Sequence, residues 1–404
     1  MKHTTLTSLI VRVAGLLTAL ILVINPAAAS ELQDEYAAYQ EAAAVGDLHA
    51  ALPHAQRAYE LGLEQFGEDS INAGLLALNY GQVLCGITHF RQAEDVLRRA
   101  YTILQSSGGA PEDRHLAGYL LSIAEVNYGD VGDARTFVDA LRLEALEDFG
   151  TVSMEHAETL YLRALTVIRD DFRHSPRRNR FRRRYELLGS TARRERTSNI
   201  GRGYIDQPVE IRNVINRADQ DISHAENILS QLGQSDSELA GRLALAHGQL
   251  RMWSYFYEQA VTYFDQALRI LRARPFTDDD LMEAYSERIF TAQLLEDADT
   301  MEQLALEAYE RGQQRCDGGS VVIFQTLPPF PPDVDQFSVR WTRVDFTVNA
   351  EGRPENVELH DGWDRNPQVA VEALAQFHFV PARSNCQNVA TTHGRVTFVI
   401  RRWL

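Results

Sequence analysis

The sequence predicts a multidomain chain: an all-α helical repeat array followed by a small α+β module. Three observations lead there. Residues recur at matching offsets, first Gly81, Ala93, Leu97 and Ala100, then Gly248, Ala260, Phe264 and Ala267, with small residues at the glycine and alanine positions. Past residue 340 the apolar residues switch from a spacing near four to strict alternation, the change from helix to half-buried strand. Between the two regimes lies Asp317-Gly-Gly-Ser320, a stretch with the composition of a boundary.

Residues 1–29 read as a signal peptide. Lys2 and Arg12 make the start positive, Val13–Ile24 is an apolar core, and Pro26-Ala-Ala-Ala-Ser30 offers a small-residue cleavage site. The apolar core is short of the ~20 residues a span needs. The competing reading is an uncleaved anchor over Leu6–Ile24, which would put Arg12 in the bilayer. Both readings export the bulk of the chain, so the expected location is the periplasm, with membrane association only if the segment is retained.

The chain has 404 residues, enough for several domains, and a formal net charge of −16. Losing residues 1–29 would remove two cations and no acid, leaving −18. So acidic a protein is not expected to bind nucleic acid. Three cysteines, Cys85, Cys316 and Cys386, are too few for a disulfide scaffold and lack metal-ligand spacing.

Residues 30–172 and 207–317 are predicted helical. In the units at Gly81 and Gly248, a small residue sits where one helix must pack closely on the next. A weaker unit has Ala51, Ala55 and Ala58 after Gly46-Asp47. Ser106-Ser-Gly-Gly-Ala-Pro111 breaks the chain, and a further hairpin spans His115–Phe149. After Gln207-Pro208, helices are expected to Leu232 and from Ser237 to Ala273. Asp278-Asp-Asp280 marks a helix start, since carboxylates suit an N-terminus, and helices follow near Leu281–Leu295 and Thr300–Gln314. The offsets resemble those of tetratricopeptide (TPR) repeats, in a variant with longer helices. Such repeats stack because none buries its own apolar face.

Residues 173–206 interrupt the array. Arg173–Arg202 holds eleven arginines against two acids, Glu186 and Glu195. If helical, Arg182, Arg183, Arg184, Arg193 and Arg194 form a patch for an anionic partner. The alternative is a solvated insertion balancing the acidic repeats.

Residues 318–404 form the module. Val344, Phe346 and Val348 lie on one face of a strand, Val357 and Leu359 on one face of the next, with a turn at Ala350-Glu-Gly352 in which Gly352 takes φ > 0. A helix carries Val369, Ala373 and Leu374. Phe377 and Phe379 begin a strand that stops at Pro381, and Val396, Phe398 and Ile400 alternate in the last. Phe330-Pro331, Val344-x-Phe-x-Val, Glu351-Gly-Arg, Asn356-Val, Phe377-x-Phe379 and Pro381-Ala382 together resemble the C-terminal domain of TonB, the periplasmic energy transducer. Arg340-Trp341 and Ser384-Asn-Cys-Gln depart from the family's glycines, and the repeat array stands where the family has a proline-rich spacer. The resemblance implies capture of a short extended segment, such as one from a TonB-dependent outer-membrane receptor, by addition to a sheet edge. The expected edge is Arg395, Val396, Thr397, Phe398, Val399, Ile400 and Arg401, with Phe330 and Pro331 near the start of the groove. An oxidising periplasm would favour a Cys316–Cys386 bridge, worth ~3–4 kcal/mol by loop closure, with Cys85 left free; three independent thiols is the alternative.

No His-Glu-x-x-His, Gly-x-Ser-x-Gly or phosphate-binding glycine loop occurs. Asp361-Gly-Trp-Asp364 has the oxygens but not the spacing of a calcium loop. No catalytic residue, metal or cofactor is expected. The function expected is a protein–protein adaptor or transducer variant linked to TonB-dependent transport. The alternative is a cell-envelope scaffold, binding peptidoglycan or another protein without energy transduction.

Overall fold

The computed structural model describes residues 26–404 apart from 88, 129–130, 170–183, 188–208, 255, 274–278, 314–320, 325–338, 363–367, 385–386, 391–393 and 402–404. The chain divides into two compact units, one of residues up to Asp170 with Asp221–Glu238, the other of Asp171–Gln220 with Leu239–Leu404.

In the first unit seven helices follow one another with short connections: α1 (Pro26–Ala44), α2 (Leu48–Phe66), α3 (Ile71–Gly86), α4 (Phe90–Ser106), α5 (Pro111–Tyr128), α6 (Val131–Phe149) and α7 (Met154–Arg169). Local chemistry sets their starts. The Asp47 carboxylate accepts from the Ala50 N–H at 2.9 Å, and the Ser70 hydroxyl from the Ala73 N–H at 3.1 Å, each satisfying a helix donor that has no partner inside the helix. Each helix packs on the one that follows it, as expected of a helical repeat array. Ala51, Ala55 and Ala58 are buried between α1, α2 and α3. Ala93, Leu97 and Ala100 are buried too, and a Cβ at Gly81 would run into the Leu97 side chain. The small residues picked out by spacing thus lie buried where helices pack closely.

In the second unit the pattern repeats. It holds the first part of α8 (Val209–Gln231), then α9 (Glu238–Trp253), α10 (Tyr257–Arg272), α11 (Asp279–Leu294) and α12 (Ala298–Gly312). Ala260, Phe264 and Ala267 are fully buried, and Gly248 has no room for a Cβ because the Phe264 ring lies against it. Asp297 caps α12 through the Thr300 N–H at 3.2 Å.

The strands are β1 (Arg184–Leu187), β2 (Val321–Phe324), β3 (Val339–Val348), β4 (Pro354–Gly362), β5 (His378–Val380), β6 (Ala382–Ser384), β7 (Gln387–Val389) and β8 (Gly394–Arg401), with helix α13 (Gln368–Leu374) between β4 and β5. They form a four-stranded sheet in the order β1-β8-β3-β4 and two small pairs, β2 with β5 and β6 with β7. The strand expected from Phe377 begins at His378 and, instead of lying beside the others, pairs with β2, a strand that was not expected. Composition places a boundary at 317/318, yet the packing crosses it. Val380 belongs to the apolar cluster of α9–α12, Phe290 of α11 touches both that cluster and the sheet's, and Gly312 at the end of α12 lies against Val380.

Candidate strand-docking site

The site is assembled on β3. Its alternation buries Val344, Phe346 and Val348 against Ala370 and Leu374 of α13 and against Phe377 and Phe379. Phe346 and Phe379 approach with ring centroids 5.6 Å apart. β3 pairs antiparallel with β4 on one side and β8 on the other.

The β3–β4 turn is held by Asn349. Its side-chain oxygen accepts from the N–H groups of Glu351 at 3.1 Å and Arg353 at 2.8 Å, and its amide donates to Glu355 at 2.8 Å. Gly352 has φ +80°, as the turn requires, and its carbonyl accepts from the Phe379 N–H at 2.9 Å. A Cβ there would strike the Phe379 carbonyl oxygen. This glycine therefore joins the hairpin to β5. Arg353 hydrogen-bonds His378, whose pKa falls below the ordinary imidazole value through burial and the neighbouring guanidinium.

The β4 edge is unsuited to another strand. Its register with β3 shifts twice, and Asn356 sits at φ +50°. Glu355, Asn356, Glu358 and His360 are exposed along it. Bulges and charge are how sheets blunt an edge. They also correct one expectation. Leu359, placed on one face with Val357, is 46% exposed while Val357 packs on the core, because a bulged edge strand no longer keeps strict period two.

The β8 edge behaves differently. The register sets Val396 opposite Val344 and Phe398 opposite Thr342, so Arg395–Arg401 are all placed in one strand, as expected. The expectation of an unpaired outer edge is corrected. Arg184–Leu187 lies along it in parallel, with Arg184 opposite Thr397, Tyr185 opposite Phe398, Glu186 opposite Val399 and Leu187 opposite Ile400. Arg184 is therefore in a strand, which removes it from the helical arginine face that the sequence offered. Extended backbone satisfies the unpaired N–H and C=O groups of an edge, and this segment supplies it.

Phe330, Pro331, Arg182, Arg183, Arg193, Arg194, Cys316 and Cys386 lie outside the described residues, as do residues 1–25. Cys85 is free; its thiol donates to the Leu120 carbonyl at 3.8 Å, and burial pushes its pKa up to about 12. Sequence reasoning missed β1, β2, β6 and β7. For β2 the signal was present in the apolar run Val321-Val-Ile-Phe324 directly after the glycines. For β1, Tyr185-Glu-Leu-Leu188 was too short to stand out among arginines.

Among the described residues no group of three or more His, Cys, Asp and Glu is placed to hold a metal ion. The charged clusters of the helical region are paired. Tyr285 donates to Glu307 at 2.5 Å while Arg272 donates to both. Asp219 meets His247 at 2.9 Å and Arg251 at 2.6 Å, and His247 stacks on Tyr263. Burial alone would raise the Asp219 pKa; the His247 hydrogen bond and the Arg251 charge bring it below the ordinary carboxylate value. No described helix is long and apolar enough to cross a membrane.

No family model and no curated protein matches the chain. Solved structures match loosely. NprR in complex with its cognate peptide NprX is 13% identical, with a TM-score of 0.49 over 76% of this chain and 74% of that one. BtubC (BKLC) from P. vanneervenii is 13% identical, with a TM-score of 0.38 over 71% and 91%. The RpL4 assembly chaperone Acl4 is 16% identical, with a TM-score of 0.35 over 71% and 89%. At these values the likenesses carry no argument about what the chain does.

Proposed function

We propose that the chain is a non-enzymatic cell-envelope adaptor whose C-terminal module, TonB-like in sequence, captures an extended segment of a protein partner by adding it to the outer edge of β8. The partner class is a TonB-dependent outer-membrane receptor, and the TPR-like array carries the module. One observation supports this reading most directly. The β8 edge already takes an added strand, the chain's own Arg184–Leu187, while the opposite edge is bulged and charged. Strand addition recognises backbone, so it suits partners that share little beyond an extended segment.

The test is titration of the full chain with labelled peptides from the N-terminal plugs of TonB-dependent receptors, read by fluorescence anisotropy. Saturable binding is expected, abolished by Val399→Pro with helical circular dichroism unchanged. Failure of every receptor peptide would turn the reading toward the scaffold. The mass of the protein recovered from cells separates adaptor from transducer. A mature N-terminus at Ser30 or Glu31 is expected for the adaptor, and retention of residues 1–29 in the membrane fraction would favour the transducer.

A further inference from the structure

We infer that Arg184–Leu187 is an internal occupant of the docking edge, which a guest strand must displace. The inference rests on the reading of β8 just given and adds that the unliganded chain fills its own site.

Place is the first argument. The order β1-β8-β3-β4 sets β1 on the side of β8 that β3 leaves open. Origin is the second. β1 is no hairpin partner of β8; it comes from the arginine-rich insertion between α7 and α8, far away in sequence. Local connectivity therefore does not force the pairing. Length is the third. Among the described residues β1 makes four residue pairs with β8, Arg184↔Thr397 to Leu187↔Ile400, whereas the β3–β8 ladder runs from Val339↔Arg401 to Phe346↔Gly394. Parallel pairs are also slightly weaker than antiparallel ones. β1 is thus the strand of this sheet most easily exchanged.

The tether makes β1 a competitor at high effective concentration. A guest's apparent affinity falls by the fraction of time the edge is bare, so an edge bare one-tenth of the time binds ~10-fold more weakly.

Three forms of the full chain test this: wild type, Tyr185→Pro with Glu186→Pro, and Tyr185→Ala with Glu186→Ala. Two adjacent prolines remove the backbone donors whichever residue of β1 points at β8; the alanines keep them. Hydrogen exchange over 394–401 should be at least ~10-fold faster in the proline form, with 349–362 and the helices unchanged. A synthetic peptide of residues 181–190, supplied in trans, should bind the proline form at least ~10-fold more tightly than wild type, the alanine form staying near wild type. Unchanged exchange over 394–401, or equal binding of the 181–190 peptide to the wild-type and proline forms, would overturn the inference. If that peptide behaves as expected but receptor-plug peptides fail to displace it, internal occupancy stands and the receptor reading falls.

Discussion

Gly248 and Phe264 show how closely one residue depends on another in this chain. The ring is fully buried, and it lies where a side chain at 248 would be. Phe264→Ala should lower stability by ~3–5 kcal/mol through lost burial and the cavity left behind. Gly248→Val should also destabilise, by overpacking, and Phe264→Leu in the same chain should recover part of that loss. Urea unfolding midpoints check all three. Asp219 gives a prediction with a pH sign. Its pKa is depressed from 3.8 in the folded chain, so its contribution is present above that value and lost as pH falls through the depressed one. Asp219→Asn should cost ~1–2 kcal/mol at neutral pH, and the difference from wild type should shrink as pH falls below 3.8 through the depressed value. These residues differ in how legible they were. Spacing alone marked Gly81, Ala93, Gly248 and Ala260, because close helix contacts demand small residues at fixed offsets. The Asp219–His247–Arg251 cluster was invisible, since residues on two helices meet only once the helices pack.

At the scale of elements, the order of helices and of β3, β4, β5 and β8 followed from sequence. The pairing of strands did not. Phe377 and Phe379 were read as the start of a strand, yet β5 pairs with β2, and its Val380 enters the helical cluster on the other side of the glycine-rich boundary. Composition reports where a chain is cheap to bend; it does not report which apolar faces cover each other. A stability difference follows. A fragment of residues 239–404 keeps Gly312, Phe290 and the rest of that cluster around Val380, whereas a fragment of residues 318–404 exposes Val380. The longer fragment should unfold at the higher urea concentration, and the shorter should show broadened amide signals over 378–380. Equal midpoints would mean that the contacts across residue 317 add nothing to the module.

The whole molecule combines a helical repeat array, a sheet whose one edge is blunted, and an insertion that supplies a strand to the other edge. The arginine-rich segment was legible only as a charge anomaly. Its role at β8 was not, because four residues of parallel pairing between distant parts of the chain leave no periodic signal in either. That pairing is also the point at which the account is most exposed. The direct measurement is a reversible lock. Tyr185→Cys and Phe398→Cys join register partners, in a chain whose own thiols are removed by Cys85→Ala, Cys316→Ser and Cys386→Ser. Formation of the bridge is checked by mass, and binding of the 181–190 peptide is then followed before and after reductant. The account predicts that the oxidised chain does not bind and that reduction restores binding. An oxidised, bridged chain that binds the peptide as well as the reduced one would contradict it.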